Sequence, residues 1–275
     1  MKYQIEYAYG CHTGKVRSNN EDNFWCCGET LPPDNTGTEN IRTGTVSCET
    51  LPLLAVFDGM GGESCGEMAS CLAAEACGDF YGKNRKKIRT APGEFLEELC
   101  GEMNRRVCQY GKENRIASMG STAALLVFSE EGAHGCNLGD SRIYRLDEGH
   151  FRRISTDHVL GGSLFGKAPL TQYVGVPEER MKLEPCIVRD IPEEGTRYLI
   201  CSDGITDMLS DGEIADILAR ELPVKETVEL LLGRALNKGG RDNATLVLCE
   251  IGEKRSGGFR SLLGRFLGRR EGDKE

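Results

Sequence analysis

The segment Gly10–Phe24, GCHTGKVRSNNEDNF, carries two incompatible kinds of chemistry. Cys11, Gly14 and Arg17 have the spacing C-x-x-G-x-x-R, with Ser18 next. That spacing suits a thiolate attacking phosphate while the arginine holds its oxygens. Four residues after Arg17, Glu21 and Asp22 form a carboxylate pair, which points to a metal ion instead.

Further carboxylates recur in one local setting. An apolar run meets an Asp beside Gly or Asn in Val56-Phe57-Asp58-Gly59, Leu138-Gly139-Asp140-Ser141, Cys201-Ser202-Asp203-Gly204 and Gly240-Arg241-Asp242-Asn243. A single Asp-Gly pair reads as a turn. As a set, placed with Glu21-Asp22 at strand ends along one rim, these acids would repel unless a cation sat among them. Oxygen donors without a nearby Cys/His pair favour Mg²⁺ or Mn²⁺ over zinc.

The rest of the chain must supply those strands. Its 275 residues are 39% hydrophobic and 28% charged, as expected of a globular protein with one large domain or two small ones. No apolar run approaches the roughly 20 residues of a membrane span. The start, MKYQIEYAYG, alternates polar and apolar residues, reads as a first strand and lacks a signal-peptide core. Thirteen cysteines, an odd number without C-x-x-C pairs, suit a reducing cytoplasm. A net charge of −9 argues against nucleic acid as a partner. From Lys254 onward seven basic residues oppose three acidic ones, so this tail carries +4 and the rest −13.

Short turn-separated strands are expected at 24–27, 53–57, 122–128, 133–138, 142–146, 151–154, 186–191, 198–201 and 244–251. Residues 29–52, rich in Thr, Asn, Gly and Pro, read as a loop, as do 159–184. Helical spacing marks 63–81, 93–115, 211–221 and 224–237. Strand clusters interrupted by helix pairs predict an α+β fold. Its centre is a β-sandwich flanked by helices.

The ordered motifs VRSNNED, AVFDGMGG, GSTAALLVF, NLGDSRIYRL, TDH, LICSDGITD and GGRDNATLV resemble those of the type 2C (PPM) metal-dependent serine/threonine protein phosphatases in their bacterial form. They span residues 10–251. The resemblance implies a central β-sandwich of two antiparallel sheets flanked by antiparallel helices, in α-β-β-α layers, and a phosphatase catalytic domain over 1–253, with 254–275 as a basic tail. It implies two Mn²⁺ or Mg²⁺ ions: Asp58 bridges both, Asp203 and Asp242 complete one ligand set, and Glu21 with the Gly59 carbonyl serves the other. Asp22 orients a ligand or bound water. Asp140, Asp203 and Asp207 match a third, weaker site, and Arg17 matches the arginine that holds the substrate phosphate. A water bridging two dications loses its proton easily and attacks phosphorus directly, so no phosphoenzyme forms. The implied partners are phosphorylated proteins, with a serine/threonine kinase acting in opposition. The alternative within the same fold is a noncatalytic phosphoprotein-binding protein.

The thiol reading of Cys11 fares worse. A helix should follow Arg17, but Asn and acidic residues and then an aromatic strand follow. Cys100 and Arg106 repeat the C-x₅-R spacing inside an expected helix. His12, His134 and His150 read as surface residues, and His158 as a structural hydrogen-bonding group. Met60 stands where many eukaryotic relatives carry a histidine proposed to protonate the leaving group. Residues 159–184 hold the place of the family's mobile flap, here shortened. In the tail, Phe259, Leu262, Leu263, Phe266 and Leu267 follow helical spacing amid arginines, a pattern that suits a membrane surface or an acidic partner and equally well the chain's own acidic body.

Overall fold

Alternation along the strands builds this molecule. The computed structural model describes residues 3–60, 65–161 and 168–253. The basic tail and the expected helix start at 63 lie outside them. One sheet orders strands β3 (Arg42–Ser47), β1 (Tyr3–His12), β12 (Ala244–Glu253), β11 (Arg197–Cys201), β8 (Arg142–Asp147) and β9 (His150–Arg153). The second orders β10 (Cys186–Asp190), β7 (Gly132–Leu138), β6 (Ala123–Ser129), β4 (Leu53–Met60) and β2 (Asp22–Cys26), with the short β5 (Gly120–Ser121) on β4. All registered pairings are antiparallel.

Helices α1 (Gly66–Thr90) and α2 (Pro92–Asn114) cover the second sheet. They fold back at Ala91, so that Arg106 pairs with Asp79 and Lys87 with Glu98. The short α3 (Asp203–Thr206), α4 (Asp211–Leu218) and α5 (Val224–Asn237) cover the first sheet. Three cores result, and period two in the strands distributes residues among them. In β4, Leu53, Ala55 and Phe57 face α1 and α2, while Leu54 and Val56 fill the space between sheets. In β11, Tyr198 and Ile200 face the other sheet, while Leu199 and Cys201 face α4 and α5. This two-sided burial explains why these strands read as continuous apolar runs. All thirteen cysteines are free thiols, most of them in these cores.

The expected layers are observed, with local differences. Residues 29–52 contain β3, an exposed polar edge strand held by pairing with β1. Its Gly44 leaves room for Tyr7, whose hydroxyl would lie 2.3 Å from an added Cβ. Helix α1 continues past the expected end at 81 to Thr90, with non-helical backbone at Asn84. Its last turns are basic, and Lys87 pairs with Glu94 and Glu98 of α2. Helix α4 ends at Leu218, short of the expected 221. Trp25, the single tryptophan, packs from β2 onto Gly78 of α1, where an added Cβ would meet the ring at 2.3 Å.

Candidate metal centre at the rim of the sandwich

Two carboxylates are fixed by strand register. Asp22 opens β2 and lies opposite Asp58 on β4, a like-charged pairing that normally destabilises a sheet. Gly59 donates its N–H to the Glu21 carbonyl at 3.0 Å. A Cβ on Gly59 would lie 2.0 Å from the Gly66 carbonyl oxygen, and one on Gly66 would lie 2.7 Å from the Glu21 carboxyl carbon. Both glycines therefore let the strand end sit against the start of α1. That helix start favours negative charge at Glu21. The Asp58 N–H donates to Thr122 Oγ1 at 3.0 Å, and Thr122 Oγ1 contacts Ser141 Oγ at 2.7 Å. This chain of bonds joins β4 to the turn that carries Asp140.

The first sheet delivers the remaining acids to the same end. Asp203, 3% exposed, starts α3 two residues past the end of β11, and Asp242 lies two residues before β12. Gly204 allows close approach, since an added Cβ would meet the Asn243 carbonyl at 1.8 Å. Ser202 Oγ donates to Asp22 Oδ2 at 2.7 Å, which links the two sheets through the buried Asp22. Asn243, 4% exposed, organises the loop. Its Oδ1 accepts the Glu21 N–H, and its Nδ2 donates to the Thr13 and Asn19 carbonyls, each at 2.8 Å.

Electrostatics mark the rim as well. Arg17 Nη2 donates to Asp242 Oδ2 at 2.8 Å, and this bond holds the guanidinium in its charged form. Glu21 and Asp58 add to the field on Arg17. Burial, then repulsion from Glu67, pushes the Glu21 carboxyl up; Arg17 opposes this, and Asp242 adds to it. Asp140 is half-buried in the β7–β8 turn. Gly139 and His158 exchange two bonds that fix this turn, and Arg142 grips Asp157 at 2.7 Å beside it. Asp207 is exposed one helical turn beyond Asp203, and its N–H donates to the Asp203 carbonyl at 2.7 Å.

Among the described residues, no three His, Cys, Asp or Glu side chains close around one point. The acids are gathered to a rim and not into a finished cage. Like-charged carboxylates hold apart, and the Asp242 side chain is turned to Arg17. The donor chemistry is nevertheless carboxylate and carbonyl oxygen, partly buried at one rim. That set fits a hard divalent cation.

Cys11 does not belong to this chemistry. It is 1% exposed between the sheets and accepts bonds from Asn20 Nδ2 and Thr245 Oγ1, each at 3.1 Å. Burial pushes its thiol up to about 12, the reverse of nucleophile activation. The expectation that His134 is a surface residue is also corrected: it lies in β7, 4% exposed, beneath the β10 pairing. His158 has the expected structural role, accepting the Gly139 N–H at Nδ1.

Sequence reasoning did not single out Asn243, Ser202 and Glu67 as members of the site. Asn243 had a signal, since it follows Asp242 directly. Glu67 had none, because it reaches the rim only through α1, where Asn19 Nδ2 contacts it at 3.1 Å. A groove of about 1060 Å³ between α2 and residues 170–181 lies beside the rim and contains none of these carboxylates.

Two antiparallel sheets between helix layers, with acids from both sheets at one rim, define a class: α-β-β-α sandwiches built to bind divalent cations. A family model described as protein phosphatase 2C matches residues 42–238, and the chain belongs to that family. Protein phosphatase PhpP of Streptococcus pneumoniae serotype 2 is 28% identical over 216 residues, covering 74% of this chain and 87% of that protein. Serine/threonine phosphatase stp of Listeria welshimeri is 27% identical over 250 residues, covering 86% and 92%. The crystal structure of the catalytic domain of the phosphatase PstP in complex with two manganese ions superposes with a TM-score of 0.70. It is 26% identical and covers 92% of this chain and all of that one.

Proposed function

We propose that this chain is a metal-dependent serine/threonine protein phosphatase. The observation that carries the reading is the gathering of Glu21, Asp22, Asp58, Asp203 and Asp242 from both sheets at one rim. Glu21, Asp58, the Gly59 carbonyl, Asp203 and Asp242 would hold two Mn²⁺ or Mg²⁺ ions, and Asp140, Asp203 and Asp207 a third. When bound, such ions acidify water to make the nucleophile and neutralise charge on the phosphate.

The protein's own groups do the rest. Asp22, held by Ser202, keeps a fixed carboxylate beside Asp58. Arg17 is exposed and leaves Asp242 to pair two phosphate oxygens with its planar fork. No side chain acts as nucleophile: Cys11 is buried and protonated, and Ser202 Oγ is committed to Asp22 and to the Thr245 N–H. The substrates are phosphorylated proteins, and a serine/threonine kinase is the opposing activity. Thirteen free thiols suit the cytoplasm as the place of action. Residues 1–253 form the catalytic domain and 254–275 a separate basic tail. Among the described residues, no helix is long and apolar enough to cross a membrane.

Hydrolysis of an aryl phosphate and of a phosphothreonine peptide with Mn²⁺ tests this. Activity is expected to vanish with chelator, to survive Cys11→Ser, and to be lost in folded Asp58→Asn and Asp203→Asn. Chelator-resistant activity that needs Cys11 would reverse the assignment. Phosphopeptide binding without turnover would make the chain a binding protein.

A further inference from the structure

Asn104 projects from α2, is 4% exposed, and bonds through both amide atoms to a segment some seventy residues away, while the Cys108 thiol also donates to its Oδ1. Its Oδ1 accepts the N–H of Gly175 at 2.7 Å and of Val176 at 3.0 Å, and its Nδ2 donates to the Val176 carbonyl at 2.9 Å. Three backbone groups would be orphaned without it, which is costly for buried polar groups.

The fastened segment adjoins the rim. Val174 and Ser121 exchange two backbone bonds of 3.0 Å, and Ser121 pairs with Gly59. Strands stack about 4.8 Å apart, so the Val174 backbone lies about 10 Å from Gly59. Tyr173 uses the space left by Gly120, where an added Cβ would meet its ring at 2.8 Å; Gly120 in turn pairs with Met60. Gly175 has φ +104°, and an added Cβ would lie 2.4 Å from the Met119 carbonyl. Ladder, glycines and amide together hold this segment in one position.

We propose that Asn104 is a positioning residue for substrate selection. It fixes residues 173–176 where they meet the polypeptide flanking the phosphorylated residue, not the phosphate itself. An extended chain advances about 3.3 Å per residue, so the third residue from the phosphorylated one spans about 10 Å and reaches this segment. A small aryl phosphate does not. The inference rests on the phosphatase reading.

The test compares the full chain with Asn104→Ala and Asn104→Asp. It measures amide hydrogen exchange over 170–181 and steady-state kinetics on an aryl phosphate and a phosphothreonine peptide. In Asn104→Ala the Gly175 and Val176 amides should lose protection, and the peptide KM should rise about tenfold while the aryl phosphate kcat changes less than about twofold. Asn104→Asp keeps the acceptor for both N–H groups and should restore most of the protection and of the peptide KM. It also serves if the alanine variant fails to fold. Proportional losses on both substrates, or unchanged protection, would overturn the proposal. Wild-type protein inactive on both substrates would sink the phosphatase reading and the proposal with it. Wild-type activity with an unchanged ratio in the variants would sink the proposal alone.

Discussion

Asn243 carries more of the site's geometry than its size suggests. One amide fastens the Thr13 and Asn19 carbonyls and the Glu21 N–H beside Asp242. Asn243→Ala should cost about 2–4 kcal/mol in denaturant unfolding, since buried groups lose partners. It should also weaken Mn²⁺ binding by about 10–100-fold, as loss of outer partners does, read by calorimetric titration. A variant with unchanged Mn²⁺ affinity would remove Asn243 from the site. The acids themselves were legible because they border apolar runs, before or after them, next to Gly or Asn. Asn243's bonding was not, because its partners stand more than two hundred positions away in sequence. Cys11 illustrates the converse: a suggestive spacing became inert once the strand buried it.

At the scale of elements, the seam between α4 and α5 gives a pH-dependent handle. Ser210 and Glu213 form a reciprocal cap at the start of α4, and Lys238, just past α5, pairs with Glu213 at 2.6 Å. Lys238 and then Ser210 depress the Glu213 carboxyl from 4.5 to about 2. A depressed carboxylate stabilises the fold above its unfolded pKa, and that contribution fades as pH falls from about 4.5 towards 2. Glu213→Gln should therefore lower Tm at pH 7, and the deficit should close by pH 2; a deficit independent of pH would refute the linkage. The start of α4 was readable in sequence, because helical spacing begins at Asp211. Strand β3 was not, since its polar, exposed residues carry no core pattern and only the pairing with β1 makes them a strand. The far end of α1 was hidden for the same reason: its basic last turns are held by acids on α2.

For the molecule as a whole, acids from both sheets meet at one rim of a chain whose net charge is −9. Cation binding should therefore act as a clamp across the sandwich. Mn²⁺ at about 100 times its Kd adds about 2.7 kcal/mol per site, so Tm should rise by about 5–10 °C for each site filled and return with chelator. Asp58→Asn should abolish most of that rise while leaving the metal-free Tm near wild type. An equal rise in the variant would show that Mn²⁺ binds elsewhere. The layered architecture was legible because central strands buried on both faces must be apolar throughout. The closeness of the two sheets at Asp22 and Ser202 emerged only from the fold, through one hydroxyl between partners 180 residues apart.

Trp25 stands three residues along β2 from Asp22, its indole wedged over Gly78 of α1. With no second indole in the chain, intrinsic fluorescence becomes a private optical channel on the strand that feeds the rim. Titrating cations against emission wavelength would register site loading in unlabelled protein, without any substrate being turned over.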